Sequence, residues 1–220
     1  MADDVLVVDR KGSVIQLTLN QPALRNAISG ELNEELKAAC ARIQQDMSIR
    51  CVVLTGAGEA FCAGGNIKNM RDRRGLFGHE VVETPQAFRD GVQGVPRAFV
   101  GLDVPVIAAV NGAAIGAGLD FALMCDIRIA CVEATFAESF IRVGLIPGDG
   151  GAWLLPRAVG MAAAMEMALT AEPVSAARAL ELGIVSRVVD AAQLLPTAFD
   201  LAEKIARHSP QALQIGRAHV

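Results

Sequence analysis

The stretch Val104–Gly151 reads VPVIAAVNGAAIGAGLDFALMCDIRIACVEATFAESFIRVGLIPGDGG, and its punctuation decides how the chain is built. An apolar run, Val104–Val110, has the length of a buried strand and stops at Asn111-Gly112. Gly116-Ala117-Gly118 is a turn of small residues, and the apolar helix that opens there carries Asp120 in its first turn. A strand that ends in a glycine-rich turn and opens a helix leaves backbone N–H groups unpaired. Such a turn can hold an anion or a developing oxyanion. An acid within one helical turn of those donors adds a proton carrier. The stretch therefore reads as the active-site half of an enzyme.

Upstream the same grammar recurs. Cys51–Thr55 is a valine-rich run that ends at Gly56-Ala57-Gly58, and Phe61–Ile67 (FCAGGNI) is a second strand-to-helix turn, its helix opening near Asn66. Val5–Asp9 and Val14–Leu19 flank Lys11-Gly12-Ser13 and predict a β-hairpin. Ser29 is placed to cap a helix reaching about Asp46, with Leu32, Leu36, Ala39, Cys40 and Ile43 at helical spacing. Met70–Glu83 is basic, glycine-dotted and without period, and reads as a mobile surface segment, either a solvated loop or a lid. Gln86–Leu102 resumes helical spacing.

Downstream, Trp153–Val159 and Met161–Leu169 predict helices broken at Gly160. Ser175–Leu182 is a helix capped by Ser175 and stopped by Gly183, followed by a short strand, Ile184–Val189, and a helix, Ala191–Arg207. Strands alternating with helices predict α/β architecture. The expected organisation is a core domain over 1–190 and the start of a C-terminal helical region over 191–220.

Composition narrows the function. Apolar residues make up 52% of the 220, but no run approaches the ~18 of a membrane span. The N-terminal MADDVLVVDRKGS lacks the basic and apolar regions of a secretory signal. Five cysteines, odd in number and without a CxxC pair, fit reduced thiols in a cytoplasm. Three histidines exclude a histidine-rich metal site, and a net charge of -4 argues against nucleic acid as a partner.

FCAGGNIK, VNGAAIGAGLDFALMCDIRIA, IPGDGGAWLLPR and ALELGIVSRVV, in this order, resemble the enoyl-CoA hydratase/isomerase (crotonase) family, and the likeness covers essentially all of 5–213. The resemblance implies a spiral of ββα units that assembles as a homotrimer or a dimer of trimers. It implies an acyl-CoA substrate whose thioester enolate is held by two backbone N–H groups, those of Ala63 and Ala117. Ala63, Gly64, Gly65, Asn66 and Ile67 would lie along coenzyme A, and Gly116 and Phe140 are further candidates for binding the substrate. Arg25, in LNQPALRNAI, would approach the CoA phosphates or stand as a solvated loop arginine. The chemistry requires no metal, flavin or nicotinamide, no nucleic acid and no membrane; the CoA thioester is substrate rather than cofactor.

The family's hydratases use two glutamates. The first falls on Asp120, which keeps the carboxylate but shortens the arm by one methylene. The second falls on Phe140, which cannot transfer a proton. Two acids lie nearby, each with a plain alternative: Glu138 as a surface or structural pairing residue, Asp149 as a helix N-cap. Phe77, Phe88, Phe140 and Trp153 are candidates for the acyl pocket or for the core. The leading expectation is an enoyl-CoA hydratase acting on a trans-2-enoyl-CoA, with Asp120 and one of Glu138 or Asp149 sharing acid and base work. The alternatives are an isomerase using one carboxylate and a catalytically silent CoA-binding member. Ile215–Val220 (IGRAHV) resembles a translated sequencing adapter, so the expectation is that the C-terminal helical part is truncated beyond about Leu213.

Overall fold

A computed structural model describes residues 4–75, 78, 83, 86 and 88–218. Strands β1 (Leu6–Lys11) and β2 (Val14–Leu19) form the expected hairpin, closed at Gly12 with φ +63°. Helix α1 (Gly30–Gln45) starts where the Ser29 hydroxyl accepts the Leu32 N–H at 3.1 Å. Its five predicted apolar positions are all buried. Strands β3 (Cys51–Gly56) and β4 (Ala60–Cys62) lead to the short helix α2 (Ile67–Arg71), whose first turn is capped by the Asn66 side chain. The predicted helix over Gln86–Leu102 is split, with a π-helical turn at Phe88–Val92 followed by α3 (Gly94–Val100).

The decisive stretch folds as β5 (Val106–Val110), β6 (Ala113–Ile115), α4 (Ala117–Leu123), β7 (Ile127–Cys131) and β8 (Thr135–Ala137). Helix α5 (Gly151–Thr170) is broken by extended backbone at Gly160 (φ 78°, ψ 161°), where the sequence predicts the break. After it come β9 (Val174–Ser175), α6 (Ala176–Leu182), β10 (Arg187–Val189), α7 (Ala191–Ala206) and α8 (Pro210–Ala218). Of the strand expected over Ile184–Val189 only the last three residues pair. Ile184 and Val185 are buried in the turn after Gly183, their N–H groups bonded to the Ala179 carbonyl.

Two sheets stack in a spiral of ββα units. The larger has the order β1-β2-β3-β5-β7-β10, the smaller β4-β6-β8-β9. All neighbours are parallel except β1–β2 and β8–β9. Each turn of the spiral gives one strand to the large sheet and the next to the small one: β3 then β4, β5 then β6, β7 then β8. Strands β3 and β5 are buried along their whole length, which is why they read as unbroken apolar runs. Helix α7 lies on the large sheet and puts Leu194, Ala198 and Ala202 into the same core. Among the described residues no helix is long and apolar enough to cross a membrane.

Candidate active site

Strand register builds the site. In the small sheet Cys62 lies opposite Ala114, Ala114 opposite Phe136, and Ile115 opposite Ala137. Three parallel strands therefore end side by side. Strand β4 runs into the turn Ala63–Gly65, β6 into the turn Gly116-Ala117, and β8 into Glu138. The two turns touch. A Cβ built on Gly64 (φ +76°) would overlap the Ile115 carbonyl and lie 3.4 Å from the Ala117 nitrogen. One on Gly118 would run into the Cys62 backbone. Glycine at 64 and 118 lets the two turns close on each other.

The donors differ from expectation at one position. The Ala63 N–H, expected to face substrate, is bonded to the Arg25 carbonyl at 3.0 Å. The turn is held again at Gly64, whose carbonyl accepts the Ile28 N–H at 2.8 Å. The N–H in this turn without an acceptor among the described residues is that of Gly65. Ala117 is the first residue of α4, so its N–H has no partner one turn earlier. Arg25 itself is exposed, and its backbone rather than its guanidinium is what holds the site. Asn66 caps α2, and Ile67 is exposed beside it.

Three carboxyl groups converge under these turns. Asp120, Glu138 and Asp149 are 0%, 1% and 3% exposed, so Glu138 is no surface residue. Asp149 does not cap α5 either: the cap position is Gly150, without a side-chain bond. A methyl built on Gly151 would overlap the carboxylates of both Asp120 and Glu138, which places these two around the same backbone atom.

The Glu138 oxygens have no hydrogen-bond donor among the described residues, and the Asp120 carboxylate has beside it only the Gly151 backbone N–H as a donor when all three groups are ionised. Burial, then the charges of Asp149 and Glu138, hold the Asp120 carboxyl well above the usual carboxylate range. Burial and Asp149 push Glu138 to about 8. Burial raises Asp149 too, but a hydrogen bond from a protonated Asp120 opposes the rise. Burial lifts all three carboxyls above their usual range, so the cluster holds protons that exposed carboxylates would release.

Aromatic residues border the site. Phe140 opens a 3₁₀ turn (Phe140–Val143) and its ring lies 3.8 Å from a Cβ built on Gly116. The Phe88 ring stands 3.4 Å from a Cβ built on Gly148, and Gln93 donates to the Gly148 carbonyl at 3.2 Å. The π-helical turn therefore packs on the loop that carries Asp149. Trp153 is not a core residue: it is 64% exposed with the Arg157 guanidinium 3.1 Å from the centre of its ring. Phe77 lies outside the described residues, as does part of Met70–Glu83. All five cysteines are buried and free, and burial pushes the thiols of Cys40, Cys51 and Cys62 to about 12, so they remain protonated.

The chain is similar to known proteins of one family. The family model described as enoyl-CoA hydratase/isomerase matches residues 9–220. A short-chain-enoyl-CoA hydratase of Clostridium acetobutylicum is 35% identical over 215 residues, covering 96% of this chain and 79% of that protein. A 1,2-epoxyphenylacetyl-CoA isomerase of Escherichia coli is 39% identical over 206 residues, covering 94% and 77%. The crystal structure of an enoyl-CoA hydratase from Bacillus anthracis superposes with a TM-score of 0.89 at 34% identity, covering 97% of this chain and 81% of that one.

Proposed function

This chain belongs to the enoyl-CoA hydratase/isomerase family, and on that premise we propose that it adds water across the double bond of a trans-2-enoyl-CoA. The observation that carries the proposal is the meeting of two N–H-bearing turns with a buried carboxyl cluster that holds both an acid and a base. The thioester oxygen accepts from the Gly65 and Ala117 N–H groups, which stabilise the negative charge that grows there as hydroxide adds to C3. Asp149, ionised, takes the proton from water. Asp120, protonated, gives its proton to C2. The Asp120–Asp149 contact then returns the proton and resets the pair. Glu138 stays protonated below about pH 8 and keeps a second negative charge away from Asp149. Coenzyme A enters as part of the substrate, and none of these steps needs another cofactor.

An isomerase reading has one observation in its favour. Phe140 puts an apolar ring where the family's second glutamate stands, and a double-bond shift needs a single proton carrier. The two reactions separate cleanly, because only hydration yields a 3-hydroxyacyl product.

The outer face of α5 carries Met161, Met165 and Leu169, four residues apart and 66%, 49% and 61% exposed. Apolar side chains in such a row mark a contact surface. This supports assembly as a homotrimer, alone or paired. Five buried, reduced thiols support a cytoplasmic location.

The test is turnover of crotonyl-CoA by the protein and by Asp120→Asn. The protein should form 3-hydroxybutyryl-CoA, and D120N should be slower by roughly 10²–10⁴. An unimpaired D120N would contradict the assignment.

A further inference from the structure

We infer that Asn26 is a positioning residue for the oxyanion hole, an inference that rests on the reading of Gly65 and Ala117 as its donors. Arg25 and Asn26 are consecutive non-glycine residues in the left-handed region, with φ of 53° and 55°. L-residues adopt that conformation at a cost, so something must hold them there. The Asn26 side chain does. It is fully buried, its Oδ1 accepts the Gln21 N–H at 2.9 Å, and its Nδ2 donates to the carbonyls of Ala57 (2.9 Å), Ala60 (2.7 Å) and Phe61 (3.2 Å).

Ala57 lies in the connection from β3 and Ala60 and Phe61 in β4 itself, the strand that delivers the turn Ala63–Gly65. The left-handed pair points the Arg25 carbonyl at the Ala63 N–H and brings Ile28 against Gly64. The turn is thereby gripped from one loop at residues 57, 60, 61, 63 and 64, and Gly65 is the next link. Asn111, at the end of β5, shares the Ala60 carbonyl at 3.3 Å and also accepts the Gly56 N–H, so the same connection is tied to the strand that leads to the second turn. A Cβ at Gly56 would sit 2.8 Å from the Asn26 Nδ2, so the chain is shaped around this amide. Asn26 touches no reacting atom. It acts by fixing where the Gly65 N–H stands relative to the Ala117 N–H.

The experiment compares Asn26→Gly, Asn26→Ser and Ile43→Ala with the unaltered protein. Glycine keeps the left-handed backbone and removes only the side-chain bonds. Serine keeps one short polar arm. Ile43 is a buried core residue of α1, and I43A supplies a general loss of stability for comparison. Each is assayed for crotonyl-CoA hydration and for the absorption of bound 4-(dimethylamino)cinnamoyl-CoA, a thioester whose band moves to longer wavelength as its carbonyl is polarised.

The expected result is that N26G lowers kcat roughly 10- to 100-fold with KM changed less than about threefold, and shrinks the red shift of the bound probe. N26S should fall between, and I43A should lower Tm while leaving the red shift intact. An N26G protein with full kcat and a full red shift overturns the inference, as does an I43A protein that loses the shift equally. Failure of the unaltered protein to polarise the probe would overturn the oxyanion-hole reading itself, and the inference with it.

Discussion

Three carboxyl groups packed together out of water cannot all be ionised, and this fixes how the protein responds to pH. Glu138 rises from 4.5 to about 8 in the folded chain, so the folded state holds its proton more tightly than the unfolded one. That stability is fully present below about pH 4.5 and is lost as pH rises through about 8. Tm should therefore fall as pH is raised from 5 to about 9, and Glu138→Gln, which cannot ionise, should flatten part of the fall. A slope unchanged in E138Q would remove Glu138 from the cluster. Among single residues the sequence was half legible. Asp120 and Ala117 could be placed from one strand-turn-helix pattern. Ala63 pointed to the turn that packs on Gly116-Ala117, but its own N–H is taken by a carbonyl in the loop before α1, and no periodicity records a bond between distant segments. Glu138 and Asp149 each had a local reading as surface residue or cap. What withdraws Glu138 is the absence of a side chain at Gly151, which leaves room for it beside Asp120, and what withdraws Asp149 is that Gly150 takes the cap position.

Helix α5 starts at the residue that the acids surround, so the element and the chemistry share an atom. Gly151→Ala should force Asp120 and Glu138 apart, lowering stability by about 1–3 kcal/mol as overpacking does in cores. It should also abolish hydration while the far-ultraviolet circular dichroism stays helical. A fully active G151A would show that the two carboxylates do not meet there. Elements whose ends are written in their own residues were legible: Ser29 and Ser175 cap, Gly183 stops, Gly160 breaks. Elements shaped by packing were not. The π-helical turn at Phe88–Val92 sits where Phe88 and Gln93 meet the Gly148 loop, and the 3₁₀ turn at Phe140–Val143 closes over the Gly116 turn. Both depend on a neighbour absent from the local pattern.

Across the molecule, the alternation of strands and helices announced α/β architecture, while the spiral came from the resemblance of four motifs to a family. Alternation alone does not tell a strand to leave one sheet for another. The pairing of β4, β6 and β8 outside the large sheet is what aligns the two turns with Glu138. The same spiral leaves Met161, Met165 and Leu169 outside. If that face joins copies of the chain, light scattering should give a trimeric mass for the protein and a lower one for Met161→Glu combined with Met165→Glu. A trimer that survives both charges would place the interface elsewhere.

An oxyanion hole and a shared-proton carboxyl cluster that together add water to an enoyl thioester must leave the oxygen of that water in the product. Incubating the protein with crotonyl-CoA in ¹⁸O-labelled water and weighing the product reads this out. One labelled oxygen is expected in a 3-hydroxybutyryl-CoA, formed roughly 10²–10⁴ times more slowly when Asp120 is replaced by Asn. Solvent protons exchanged into the acyl chain with no oxygen gained would contradict hydration and leave the isomerase reading in its place.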